Sequence, residues 1–134
     1  MGLWSGTVTG QYVPYVRPQE TGNKEDVRWL SLTDATGRGL LVVTEEGSTM
    51  AASALHFRAA DLTGVKHAYE LKPRPEGVLS LDARQCGLGN GSCGPGVLEK
   101  YAVPVQPYRL TISFRPCLPG IDAAVAARAC LPSR

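Results

Sequence analysis

VRWLSLTDATGRGLLVVT, from Val27 to Thr44, sets the fold class. Val27 to Thr33 alternates, with Val27, Trp29, Leu30 and Leu32 competing for one inward face. Asp34 to Gly39 (DATGRG) holds an aspartate and two glycines, which signals a turn. Leu40 to Thr44 is a continuous apolar, β-branched run of strand length. Two strand-like runs around a turn read as a β-hairpin.

The pattern continues outward from that hairpin. Glu45, Glu46 and Gly47 make a second turn, and Thr49 to Phe57 reads as another strand. Ala59 to Glu70 changes period: Leu62, Val65 and Tyr69 fall on one helical face, interrupted by Gly64. Pro73 and Pro75 end that short helix, because a residue before proline leaves the α region. Gly77 to Asp82 alternates as a strand. Tyr108 to Phe114 alternates too, which places Tyr108, Leu110, Ile112 and Phe114 on one face. Asp122 to Cys130 is alanine-rich and helix-prone after Pro119 and Gly120.

Short strands, frequent turns and ten prolines give an all-β expectation: an antiparallel two-sheet sandwich with a short helix near 59–70 and a C-terminal helix. Residues 1–118 are expected to form the sandwich domain and residues 119–134 a helix-prone tail. The expected core includes Trp29, Leu41, Val43, Leu79, Leu81, Leu110 and Ile112.

Composition limits the function classes. The 134 residues suffice for one domain, with 43% hydrophobic and 19% charged residues. A net charge of +2, with basic residues scattered among acids, gives no nucleic-acid signature. Arg58, Lys66, His67, Lys72 and Arg74 read as a solvated face. No apolar run approaches the ~20 residues of a membrane helix. The opening MGLWSGTVTG lacks the basic and apolar regions of a secretory signal. Cys86, Cys93, Cys117 and Cys130 form no CxxC pair, and there are only two histidines, so no zinc pattern is present. Free thiols and a cytoplasmic location are the expectation.

The densest chemistry lies in LGNGSCGPGVLEKY, Leu88 to Tyr101, where four glycines and Pro95 surround Asn90, Ser92 and Cys93. Glycines let backbone approach a ligand or another segment closely. The loop is either a packed turn or a binding surface, with Asn90, Ser92 and Cys93 as candidate substrate-binding residues. It lacks the Gly-Lys-Ser/Thr of a phosphate loop.

Four motifs, PYVRPQETGNKEDVRWLSLTD (Pro14 to Asp34), SALHF (Ser53 to Phe57), DLTGVKHAYELKPRPE (Asp61 to Glu76) and LDARQCGLGNGSCGPGVLEKY (Leu81 to Tyr101), occur in one order. Together they resemble the C-terminal part of the large bacterial β-galactosidases of glycoside hydrolase family 2, over Trp4 to Arg115. The resemblance implies part of a two-sheet sandwich similar to galactose mutarotases. It implies a role supporting and bordering the site where terminal β-galactosides such as lactose are hydrolysed with retention. A stand-alone carbohydrate-binding module is the alternative.

In the resembling family both catalytic glutamates lie in a barrel domain outside this region, so no catalytic residue is assigned here. No metal ligand or cofactor is assigned to the chain either; divalent and monovalent cations would be held by other domains. The implied partners are the remaining domains or large subunit, a galactoside, and a further copy of the chain through open strand edges. Neither nucleic acid nor membrane is an implied partner. The family's loop carries an aromatic against the sugar where this chain has Cys93, and a thiol cannot supply that stacking area.

Pro14 to Lys24 is the second candidate segment. Arg17, Gln19, Glu20 and Asn23 would form a polar cluster toward another domain, or the segment is simply a rigid crossing held by its prolines. The family's Glu-Asn-Gly is Glu20-Thr21-Gly22 here, which removes an amide donor. His56 and His67, without a neighbouring nucleophile or metal cluster, read as packed imidazoles.

Overall fold

Asp34 builds the turn its sequence announces. Its Oδ1 accepts hydrogen bonds from the Thr36 backbone N–H at 2.8 Å, the Thr36 hydroxyl at 2.6 Å and the Arg38 backbone N–H at 3.1 Å. Gly37 follows at φ +81°, a left-handed conformation that glycine adopts without strain. The flanking strands then pair antiparallel from Trp29↔Val43 to Thr33↔Gly39.

The computed structural model describes residues 2–87, 89, 91 and 93–129. Its strands are β1 (Lys24–Val27), β2 (Trp29–Thr33), β3 (Gly39–Thr44), β4 (Met50–Leu55), β5 (Val78–Asp82) and β6 (Ile112–Cys117). They form two antiparallel three-stranded sheets, ordered β1-β4-β5 and β2-β3-β6. The all-β, antiparallel two-sheet class is therefore the class found. Among the described residues three short helices accompany the sheets: α1 (Val8–Gln11), α2 (Ala59–Thr63) and α3 (Ala123–Ala129). Single 3-10 turns occupy Ala68–Glu70 and Glu99–Tyr101.

Local chemistry redraws several sequence boundaries. The run from Val27 to Thr33 is not one strand. Asp26 takes φ +56° and pairing stops at Arg28, so β1 joins one sheet and β2 the other. The helical stretch after Phe57 is two pieces. Gly64 caps α2, its N–H donating to the Ala60 carbonyl at 3.0 Å. The expected face then breaks: Leu62 is buried, whereas Tyr69 is 84% exposed.

The expected strand Tyr108 to Phe114 is corrected to Ile112–Cys117. Pro104 and Pro107 hold the preceding segment in a turn, which the Tyr108 hydroxyl closes by donating to the Pro104 carbonyl at 2.9 Å. Phe114 lies exposed on β6, an edge strand of its sheet. Of the expected core residues, Leu41 and Val43 are buried, while Trp29, Leu79, Leu81, Leu110 and Ile112 are half-buried.

The chain divides into two compact units. One comprises Met1–Lys24 with Ala52–Leu81. Leu55, Phe57 and Leu62 are its buried cluster, with Tyr12 and Leu71 packed on them. The Tyr12 and Phe57 rings meet at 5.1 Å and 59°, the tilted arrangement aromatic pairs prefer. The other comprises Glu25–Ala51 with Asp82–Arg134. Here Leu41, Val43 and Cys117 form the cluster, closed by Trp29 and by Ala123, Ala126 and Ala127 of α3. Alanines let that helix approach the sheet closely. Asp122 caps it, accepting from the Ala124 and Val125 N–H groups at 2.8 and 3.2 Å. Seven residues do not sustain a helix alone, so packing on β3 and β2 keeps α3 formed.

Candidate functional site

The glycine loop is pinched at its base. The Gly87 N–H donates to the Tyr101 carbonyl at 2.9 Å. A Cβ on Gly87 would stand 2.6 Å from the Tyr101 Cβ, so the two legs meet only because residue 87 has no side chain. Gly89 closes the second level. At φ +135° its Cβ position would fall 2.7 Å from the Gly96 carbonyl carbon and the Val97 nitrogen. Beyond this neck Gly91 turns at φ +68° with open space around it. Cys93 is exposed at the tip, as is Cys86 at the base. Asn90 and Ser92, the other two candidate substrate-binding residues, lie outside the described residues. Leu98 and Tyr101 leave the neck 62% and 51% exposed.

A second polar assembly occupies the other unit. Arg74 grips Asp61 with two contacts, Nε to Oδ2 at 2.6 Å and Nη2 to Oδ1 at 2.8 Å. Asp61 Oδ2 also accepts the Arg58 backbone N–H at 2.8 Å, which caps α2. Glu76 reaches Arg74 at 3.4 Å and Arg58 at 3.5 Å, and the His56 Nδ1 lies 3.2 Å from the Glu76 carbonyl. The hydrogen bonds from Arg74 and Arg58 hold the Asp61 carboxyl well below the usual carboxylate range, and Asp61 raises Arg74 in return.

An open cavity of about 260 Å³ lies beside this assembly, lined by Asp61, Glu70 and Lys72 among small and apolar side chains. Its carboxylates are occupied. Glu70 Oε2 accepts the backbone N–H groups of Lys66 and His67 at 2.9 and 3.4 Å. A general acid needs a carboxyl pushed upward. Asp34, lowered first by the Thr36 hydroxyl, and Glu76, lowered first by its own backbone N–H, move the other way, as Asp61 does. These groups are built to stay ionised and hold loops together.

The family of β-galactosidase small chains matches residues 1–114. The chain belongs to that family. It is 39% identical over 119 residues to the "Beta-galactosidase BgaC" of Bifidobacterium adolescentis, covering 86% of this chain and 11% of that protein. It is 35% identical over 119 residues to a β-galactosidase of Lactobacillus delbrueckii subsp. bulgaricus, covering 88% of this chain and 12% of the relative. A β-galactosidase of Arthrobacter sp. is 31% identical over 118 residues, again with 12% of its length matched. The chain thus spans about a tenth of the curated relatives it matches.

In this small-chain region Lys24 organises the opening segment. Its ammonium donates to Gln11 Oε1 and to the Gly22 carbonyl, and stands 4.7 Å from the Trp4 ring centroid. Partial burial lowers its pKa. The Thr21 hydroxyl accepts the Val13 N–H at 3.0 Å, so this side chain is used locally. Arg17, Gln19, Glu20 and Asn23 are all exposed, as either reading of that segment allows. The imidazole of His67 stacks on Tyr69 at 5.3 Å and 7°, while His56 is tied to the Glu76 backbone.

Sequence reasoning found the loop but missed what closes it. Gly87 precedes the dense glycine run, and its pairing with Tyr101 spans fourteen residues (101 − 87). The Asp61–Arg74 pair was also missed, its one signal being an acid in the first turn of a helix with no Ser or Thr cap. Among the described residues no three His, Cys, Asp or Glu side chains are grouped to hold a metal ion, and no helix is long and apolar enough to cross a membrane.

Proposed function

We propose that this chain is the small-chain part of a cytoplasmic family 2 β-galactosidase, which it completes without catalysing alone. The whole enzyme would hydrolyse terminal β-D-galactosides such as lactose, with retention. The glycine loop, through Asn90, Ser92 and Cys93, would border the galactoside site supplied by the remaining domains. Divalent and monovalent cations would be held by those other domains.

One observation carries this reading: the family match spans residues 1–114, while the β-galactosidases it resembles extend far beyond the matched tenth. The exposed apolar side chains fit a surface meant for cover. Leu98, Tyr101 and Val105 follow the loop at 62%, 51% and 109% exposure. Groups of this kind mark interaction surfaces.

Complementation tests the reading. The Bifidobacterium adolescentis relative, shortened by the 119 residues matched here, is mixed with the purified chain and a chromogenic β-galactoside. Turnover should appear in the mixture and in neither component alone. Turnover by the purified chain alone, or none in the mixture, would overturn the proposal.

A further inference from the structure

The pairing of β6 with β3 fixes which of its residues face outward. In an antiparallel ladder, alternate residues turn their backbone N–H and C=O groups toward a given neighbour. The Glu45 N–H donates to the Thr111 carbonyl at 3.1 Å. Stepping by two along the β3–β6 register, Ser113, Arg115 and Cys117 then face β3, opposite Val43, Leu41 and Gly39. Ile112, Phe114 and Pro116 face away. The other side of β3 agrees: the Thr44 N–H donates to the Arg28 carbonyl at 2.9 Å, so even-numbered residues of β3 serve β2.

Pro116 therefore sits where its missing N–H costs the ladder nothing. Proline is confined to such outward positions on edge strands, where it blocks further pairing. Ile112 and Phe114 carry no such block. Each offers an outward N–H and C=O, and Phe114 is 56% exposed. Among the described residues no strand pairs on this side of β6. The edge is open for two residues and shut at the third.

We propose that this open edge receives an extended strand from the rest of the β-galactosidase, hydrogen-bonded to Ile112 and Phe114 and stopped at Pro116. The inference rests on the small-chain reading and names the contact by which that reading would be realised. Two facts favour this occupant over a second copy. The family match ends at residue 114, so both open positions lie in the shared region and the blocking proline lies after it. Nearly nine-tenths of the length of the matched relatives lies outside the chain and is available to supply a strand. Strand addition of this kind draws its affinity from main-chain hydrogen bonds.

The test uses the full chain and the Lactobacillus delbrueckii relative shortened by its 119 matched residues. Phe114→Pro removes the outward N–H and spares the β3 ladder, as Pro116 already does one step along; Phe114→Ala controls for the lost ring. The proline variant should bind the shortened enzyme at least about tenfold more weakly than the alanine variant. Hydrogen exchange of wild-type peptides covering 112–117 guards against misfolding: the Ile112 and Phe114 amides should exchange fast alone and slowly in the complex. Equal binding by the two variants, or unchanged exchange, overturns the edge proposal while the small-chain reading stands. A dimer of the chain abolished by Phe114→Pro makes a second copy the occupant and overturns it too. No binding of the wild-type chain overturns both.

Discussion

Arg74 and Asp61, thirteen residues apart, meet in a two-pronged contact of 2.6 and 2.8 Å with side chains 33% and 25% exposed. The planar guanidinium fork matches a carboxylate in a way no lysine can. Asp61 also caps α2 through the Arg58 N–H, so one carboxylate ties the helix start to the proline-rich segment ahead of β5.

Asp61→Asn should lower the thermal midpoint and flatten its acid limb. The folded pKa of Asp61 lies below its unfolded value, so the native state favours the ionised form. The stabilisation is complete above about pH 5 and is lost as pH falls through the ordinary carboxylate range of about 4 and below. Wild type and variant should therefore converge in acid. Thermal unfolding between pH 3 and 7 checks this; coincident curves would show that the pair does not stabilise the fold, and curves offset in parallel that its contribution does not depend on Asp61 ionisation. Arg74→Lys should weaken the protein in the same direction.

Leu41→Ala should destabilise by about 2–5 kcal/mol, since the side chain is 2% exposed beneath α3. Leu110→Ala, half-buried and outside any strand, should cost less than about 2 kcal/mol. Urea unfolding of the two variants gives the comparison directly. The reverse order would contradict the position of β6 and its register.

Gly89→Ala should disturb the loop far more than Gly91→Ala. The first places a Cβ 2.7 Å from backbone atoms at φ +135°, whereas the second meets open space and only the ~1–2 kcal/mol of a left-handed conformation. Gly89→Ala should abolish complementation while the two-sheet fold, followed by far-ultraviolet circular dichroism, persists. Equal effects would show that the neck does not shape the loop.

Thiol titration reads the loop and the core together. In a Cys130→Ser background, Cys86 and Cys93 should react rapidly with a disulfide reagent and Cys117 only on unfolding. Two fast equivalents and one slow are expected. Three fast equivalents would mean that α3 does not cover β3.

The hairpin was legible because its information is local: Asp34 to Gly37 specify their own turn, and Leu41 and Val43 follow from the apolar run. Helical capacity after Ala59 and Ala123 was legible for the same reason. The break at Arg28 was not, because nothing in Val27 to Thr33 says which residues pair with which sheet. Leu110 and Ile112 were expected in the core and are only half-buried, because alternation over Tyr108 to Phe114 reports a face and not where the strand begins or what covers it. The glycine loop announced itself by composition, but the Gly87–Tyr101 neck and the Asp61–Arg74 pair join distant positions and become visible only once the chain is folded.

Completion of a β-galactosidase by this chain is a proposal about activity. Its most direct measurement is turnover of a chromogenic β-galactoside by the shortened Bifidobacterium adolescentis relative as the chain is titrated in. Turnover should rise with the chain, saturate at one chain per shortened subunit, and gain further from Cys93→Trp, which places an aromatic at the loop tip. A flat line at every ratio, with both components folded, would contradict the account.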